Sequence, residues 1–130
     1  MPGERILLLR RQNTGYADGS YSIPAGNLDG DEPVAAAALR VAREEIGVDL
    51  ALDDIAVVGV MRRLAEDERI DFFVSATRWD GEPRNLEPTK CDDLRWFPLD
   101  ALPDNVIPYV RRAIENERAG RWFDMFGWDA

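Results

Sequence analysis

The chain predicts an α/β domain, and three observations lead there. Short runs rich in Leu, Val, Ile and Phe recur along it, bounded by charged residues and turns, as strands are. Two stretches, Val34 to Ile46 and Val106 to Arg118, instead carry apolar residues at helical spacing. With 130 residues, 45% of them hydrophobic and 32% charged, the chain is long enough to bury one core, so residues 1–130 are read as a single domain.

Taken in order, Arg5 to Arg11 (RILLLRR) reads as a buried strand with charged ends. Asn13 to Ser20 is a polar loop, and Tyr21-Ser22-Ile23-Pro24 a short extended piece. A turn-rich loop, Pro24 to Asp31, leads to Glu32-Pro33, a helix start with a carboxylate at the cap and proline in the first turn. Val34 to Ile46 has no Gly or Pro and should be helical, with Gly47 as its C-cap. Its expected apolar stripe is Ala35, Ala38, Leu39, Ala42 and Ile46. Ile55 to Arg63 and Arg69 to Arg78 read as strands joined by a turn at Leu64 to Glu68. Phe72, Phe73 and Val74 are expected in the core, and the charged strand ends at the surface. Leu94 to Leu99 is a last short strand. In the helix Val106 to Arg118, Val106, Tyr109, Val110, Ala113 and Ile114 share a face, and Asp104 or Asn105 should cap it. The tail after Gly120 (RWFDMFGW) is too aromatic for a solvated end; it should fold back on the domain, join a subunit contact or line a site.

Composition narrows the chemistry. No apolar run approaches a membrane span, and Met-Pro-Gly-Glu-Arg lacks the layout of a signal peptide. The single cysteine, Cys91, fits a reducing cytoplasm and should pack as a small apolar residue, Asp92 and Asp93 raising its pKa. A net charge of −9 argues against a nucleic acid polymer or an acidic membrane as partner. The absence of histidine removes Ser–His–Asp and Cys–His catalysis and His-based zinc sites. One lysine, Lys90, and no GxxxxGK[ST] remove a P-loop. Carboxylates with a hard metal ion are what is left to an enzyme. Glu44 and Glu45 suit that role. They are adjacent, repel each other and sit near a helix C-terminus, where the macrodipole prefers cations. A divalent cation would relieve both penalties. The plain alternative is a solvated acidic face with Arg40 paired at i,i+4.

The spacing around these glutamates shifts the weight between the two. Gly26, Glu32, Arg40, Glu44, Glu45, Gly47 and Val48 fall in register with the pattern G-x5-E-x7-R-E-U-x-E-E-x-G-U, where U is a bulky aliphatic. The chain therefore resembles the Nudix hydrolase family, MutT-like members included, over most of its length. Tyr21-Ser22-Ile23-Pro24-Ala25-Gly26 is similar to the family's W/Y-x-x-P-G-G segment, and Trp79-Asp80-Gly81-Glu82-Pro83 to its W-x-G-E-P turn. There are departures. Ala42 stands at the aliphatic position, and Val41 stands where the family has a glutamate that holds metal or acts as general base. Val41 falls on the carboxylate face, where an apolar side chain has no evident core to join. The family usually has another strand before the one that starts at Arg5, and only four residues precede Arg5; either the sheet is one strand short, or the start of the chain is misassigned or trimmed, so an exposed edge is left open.

The resemblance implies a Nudix fold, a small mixed β-sheet sandwiched between α-helices. It implies hydrolysis, with Mg2+ or Mn2+, of the diphosphate of a nucleoside diphosphate linked to another group, a small-molecule nucleotide. Glu44 and Glu45 would be the main ligands, with the Ala25 carbonyl and either Glu82 or Glu87. Glu32 and Arg40 would fix the loop and helix, Arg10 or Arg11 would contact phosphate, and Asn105, if it does not cap the helix, would read the base. Glu82, Glu87 and Glu66 are the stand-ins for the missing base. The alternative is a non-catalytic Nudix-fold module that binds a nucleotide. A homodimer would suit the short N-terminus and the aromatic tail.

Overall fold

A computed structural model describes residues 4–28, 30–65 and 67–128. Among these the elements are β1 (Arg5–Arg11), β2 (Tyr21–Ser22), α1 (Val34–Ile46), a 3-10 turn (Leu52–Asp54), β3 (Ile55–Leu64), β4 (Glu68–Ala76), β5 (Cys91–Pro98), α2 (Pro108–Arg118) and β6 (Phe123–Phe126). Asp29 of the turn-rich loop and Glu66, one of the stand-in bases, lie outside the described residues.

The strands form two sheets, β2-β1-β5 and β4-β3-β6. Alternation along β1 sends its side chains to opposite faces, and a helix covers each. On one face Leu7 and Leu94 pack against Ala42 and Ile46 of α1 and against Val48. On the other, Ile6, Leu8 and Phe97 meet Val106, Ile107 and the α2 residues Val110 and Ile114. This is the expected sandwich. Among the described residues β2 pairs with β1 only at Leu9 and Arg10, so the N-terminal half of β1 has β5 on one side and no strand on the other. The aromatic tail folds back as β6, parallel to β3.

The second sheet joins the first through α2. Arg63 on β3 is 8% exposed; its Nε donates to Asp71 at 2.7 Å, and its guanidinium lies 3.8 Å from the centre of the Tyr109 ring. A strand-end arginine expected at the surface is thus buried, because a carboxylate on β4 and an aromatic face on α2 replace its water. Asp124 of β6 accepts from Arg112 and Asn116 of α2. Phe72 departs in the opposite direction. It is 44% exposed, because β4 turns it away from the helices while Asp71 and Phe73 face inward.

Helix α1 has the predicted bounds, ended by Gly47 at φ 70°, a left-handed conformation that glycine adopts without strain. Its start differs. Pro33 is the N-cap and no side chain caps it, because the Glu32 carboxylate is engaged with Arg40. The buried stripe is Ala37, Val41, Ala42 and Ile46, turned from the predicted one because the loop before the helix covers a second side of it. Neither Asp104 nor Asn105 caps α2; Ile107 is its N-cap, with Pro108 in the first turn. No described helix is long and apolar enough to cross a membrane.

Candidate active site

The two ends of α1 organise the site. At the N-terminal end, Arg40 Nε and Nη2 donate to both oxygens of Glu32, at 3.0 and 2.9 Å, and Nη2 also donates to the Asn27 carbonyl at 2.7 Å. One guanidinium thus ties the loop to the helix, using the planar fork that suits a carboxylate. Gly26 is required at the contact. A Cβ built there would lie 2.7 Å from Val41 Cγ2. Val41, expected to lack a core, is 9% exposed and supports the loop backbone that Gly26 brings over it.

At the C-terminal end, the last carbonyls of a helix lack partners within it. Two of these are taken by a distant loop: Arg84 N–H donates to the Ile46 carbonyl at 2.9 Å and Leu86 N–H to the Glu45 carbonyl at 3.2 Å. The same loop is tied to β1 by Gln12, whose side chain donates to the Pro88 carbonyl at 2.6 Å and whose N–H donates to the Lys90 carbonyl at 2.9 Å. Within it, Asn85 accepts from the Glu87 N–H at 2.9 Å and donates to the Cys91 carbonyl at 2.7 Å. These bonds hold the segment that carries Glu87, which lines the same cavity as Glu45.

Between the loops and α1 lies a cavity of about 490 Å³, lined among others by Arg11, Ala25, Asn27, Glu45, Glu87 and Lys90. That volume suits a small ligand. Glu45 Oε1 accepts from the Ala25 N–H at 3.2 Å. Burial pushes the Glu45 carboxyl up to about 7, and the nearby Glu87 and Glu44 charges add to this, against the Ala25 hydrogen bond and the Arg11 guanidinium. Arg11 is braced by its own loop, donating to the Tyr16 carbonyl at 2.8 Å and to Thr14 Oγ1 at 3.0 Å.

The cavity thus gathers Ala25, Glu45, Arg11 and Glu87. Glu44 lies beside it, 58% exposed, its carboxylate 3.5 Å from Arg40 Nη1. Arg10 emerges on the opposite face of β1, where Nε donates to Asp92 at 2.7 Å. Asn105 braces the first loop, donating to the Gly19 carbonyl at 2.8 Å. Glu82 lines a separate surface depression with Arg5, Trp79, Pro83 and Trp96. Cys91 is buried, and burial, before the Asp92 and Asp93 charges, pushes its thiol up. Among the described residues no three His, Cys, Asp or Glu side chains form a ready-made metal cage. That is compatible with Mg2+, which is usually held by one or two carboxylates with substrate phosphates and water.

The pattern of the NUDIX domain runs through residues 1–122. The chain belongs to the Nudix hydrolase family. A Bacillus subtilis (strain 168) protein provisionally named an 8-oxo-dGTP diphosphatase is 31% identical over 118 residues, 90% of this chain and 73% of that protein. An RNA pyrophosphohydrolase from Acidiphilium cryptum (strain JF-5) is 30% identical, over 94% of this chain and 83% of its own length. The crystal structure of a MutT Nudix hydrolase from Burkholderia pseudomallei superposes with a TM-score of 0.79 at 30% identity, covering 88% of this chain and 89% of that one. Nudix hydrolases generally use divalent metal ions and act on nucleotides. In this Nudix chain, Asn85 and Lys90 also line the site, and sequence reasoning passed over both. Lys90 carried a faint signal as the one lysine in the chain. Asn85 carried none, since its role is to shape the backbone around Glu87.

Proposed function

We propose that this Nudix hydrolase cleaves the diphosphate of a nucleoside diphosphate linked to another group, using Mg2+ or Mn2+. The observation that carries this reading is that Glu45 and Glu87 line one cavity together with Arg11 and Lys90, close enough for the Glu87 charge to act on Glu45. A half-buried carboxylate beside two others is costly without a cation. The donors at hand are all oxygens, which suits a hard divalent ion: Glu45, Glu44 one residue earlier, the Ala25 carbonyl and Glu87. A bound cation would neutralise the diphosphate and lower the pKa of the attacking water. Arg11 and Lys90 hold phosphate oxygens. Glu87, brought in by its loop, accepts the proton of the attacking water and so takes the part Val41 cannot play. Glu32 and Arg40 keep the Ala25-Gly26 backbone against Glu45. Arg10, Asn105 and Glu82 have no part in the reaction. The substrate is a small nucleotide rather than a polymer, given the net charge of −9. A second reading, a module that binds nucleotide without turnover, rests on Val41 alone.

The test is release of phosphate and pyrophosphate from a panel of nucleoside triphosphates, oxidised triphosphates, nucleotide sugars and dinucleoside polyphosphates, with Mg2+ or Mn2+. Metal-dependent turnover that disappears in Glu45→Gln is expected. Silence across the panel, with nucleotide still bound, would move the assignment to the binding module.

A further inference from the structure

The outward face of the β4-β3-β6 sheet carries a feature the reaction does not use. The strand register sets Ile70, Arg62 and Met125 in one row across it and Phe72, Val60 and Phe123 in the next. Ile70 is 63% exposed, Phe72 44%, Phe123 45% and Met125 43%. Val57 and Leu64 extend the face along β3, Trp122 borders it beside Phe123, and Trp128 lies against the Arg62 guanidinium. At ~150–250 Å² for a large side chain, the eight exposed apolar residues present roughly 700 Å². A monomer's largest apolar patch is usually about 300–600 Å², whereas a stable complex buries about 800 Å² on each partner.

We propose that this face is a homodimer interface, sheet packed on sheet about a two-fold axis. Area supports this choice of occupant: one face supplies nearly the whole contribution a protomer needs, and an isologous contact uses the same patch twice. Charge supports it too. The chain carries −9, yet on this face Arg62 is paired with Glu68, so two copies meet here without the repulsion of their acidic surfaces. The active-site cavity shares none of these residues, so both sites stay open in the dimer. The inference stands on the fold alone and is independent of the proposed reaction.

Sedimentation of the full chain over a concentration series tests it, beside Phe72→Arg and, because it is more exposed, Ile70→Lys. The wild type should approach twice the 14.7 kDa chain mass. Either variant that keeps the wild-type circular dichroism should weaken the dimer at least ~30-fold, the size of a hot-spot loss. Tryptophan emission should shift to the red as the wild type dissociates on dilution. A wild type that stays monomeric at its highest soluble concentration would overturn the proposal, leaving the face to an unlike partner. So would a dimer that both folded variants leave intact.

Discussion

The two ends of helix α1 are held in different ways. The N-terminal end is local. Glu32, Asn27 and Arg40 lie within one stretch of chain, and one arginine closes the loop on the helix. The C-terminal end is assembled from afar. Backbone N–H groups of Arg84 and Leu86 complete the carbonyls of Ile46 and Glu45, and that docking brings Glu87 to the cavity that Glu45 lines. A signature motif can therefore encode the first end completely, while the second depends on a loop some forty residues away. The loss of a carboxylate at position 41 falls between them. On the side of the local end, Val41 supports Gly26; in the proposed reaction the carboxylate it cannot supply comes from the distant end.

The sharpest separation of the two ends is kinetic. Glu45→Gln, which removes a proposed metal ligand, should lower kcat/KM by about 10²–10⁴-fold with Mg2+, the rate equivalent of several kcal/mol of metal-ion stabilisation, whereas Glu32→Gln should act mainly through stability. Next in size is the Gly26–Val41 contact. Gly26→Ala puts a methyl against Val41 Cγ2 and should cost about 1–3 kcal/mol in urea unfolding, as overpacking does. Adding Val41→Ala should recover much of it in a double-mutant cycle. Arg40→Ala should cost a similar or smaller amount, ~1–3 kcal/mol, through the charged hydrogen bonds it makes to Glu32.

The smallest effect is on pH dependence. Burial raises the Glu45 carboxyl to about 7, above its ordinary value near 4.5. Between these values the folded chain holds a proton that the unfolded chain has lost. The contribution of Glu45 is therefore fully present below about pH 4.5 and is lost as pH rises through about 7. Without divalent cation, the stability difference between wild type and Glu45→Gln should change in that window. Saturating Mn2+ should remove the change.

Much of this was legible in the sequence, and the exceptions share a cause. The bounds of α1 and the Glu32–Arg40 spacing are local properties, and the structure has both. The choice between Glu82 and Glu87 was not legible. Both lie in the same polar connection, and only the backbone bonds to the end of α1 turn one into the cavity and leave the other beside Trp79. Arg10 and Arg11 were equivalent as residues; strand alternation sends one toward Asp92 and the other into the site. Phe72 was expected in the core and is instead 44% exposed, because periodicity does not say which side of a sheet is covered. Val41 looked misplaced because its support, Gly26, comes from the loop before the helix.

The claim that the working carboxylate comes from the distant loop has one direct test: single-turnover hydrolysis by Glu87→Gln with saturating Mg2+, with Glu82→Gln as control. The account predicts a fall of about 10²-fold or more for Glu87→Gln, the loss expected for a general base, with Glu82→Gln at the wild-type rate. Wild-type chemistry in Glu87→Gln, or a fall confined to Glu82→Gln, would contradict it.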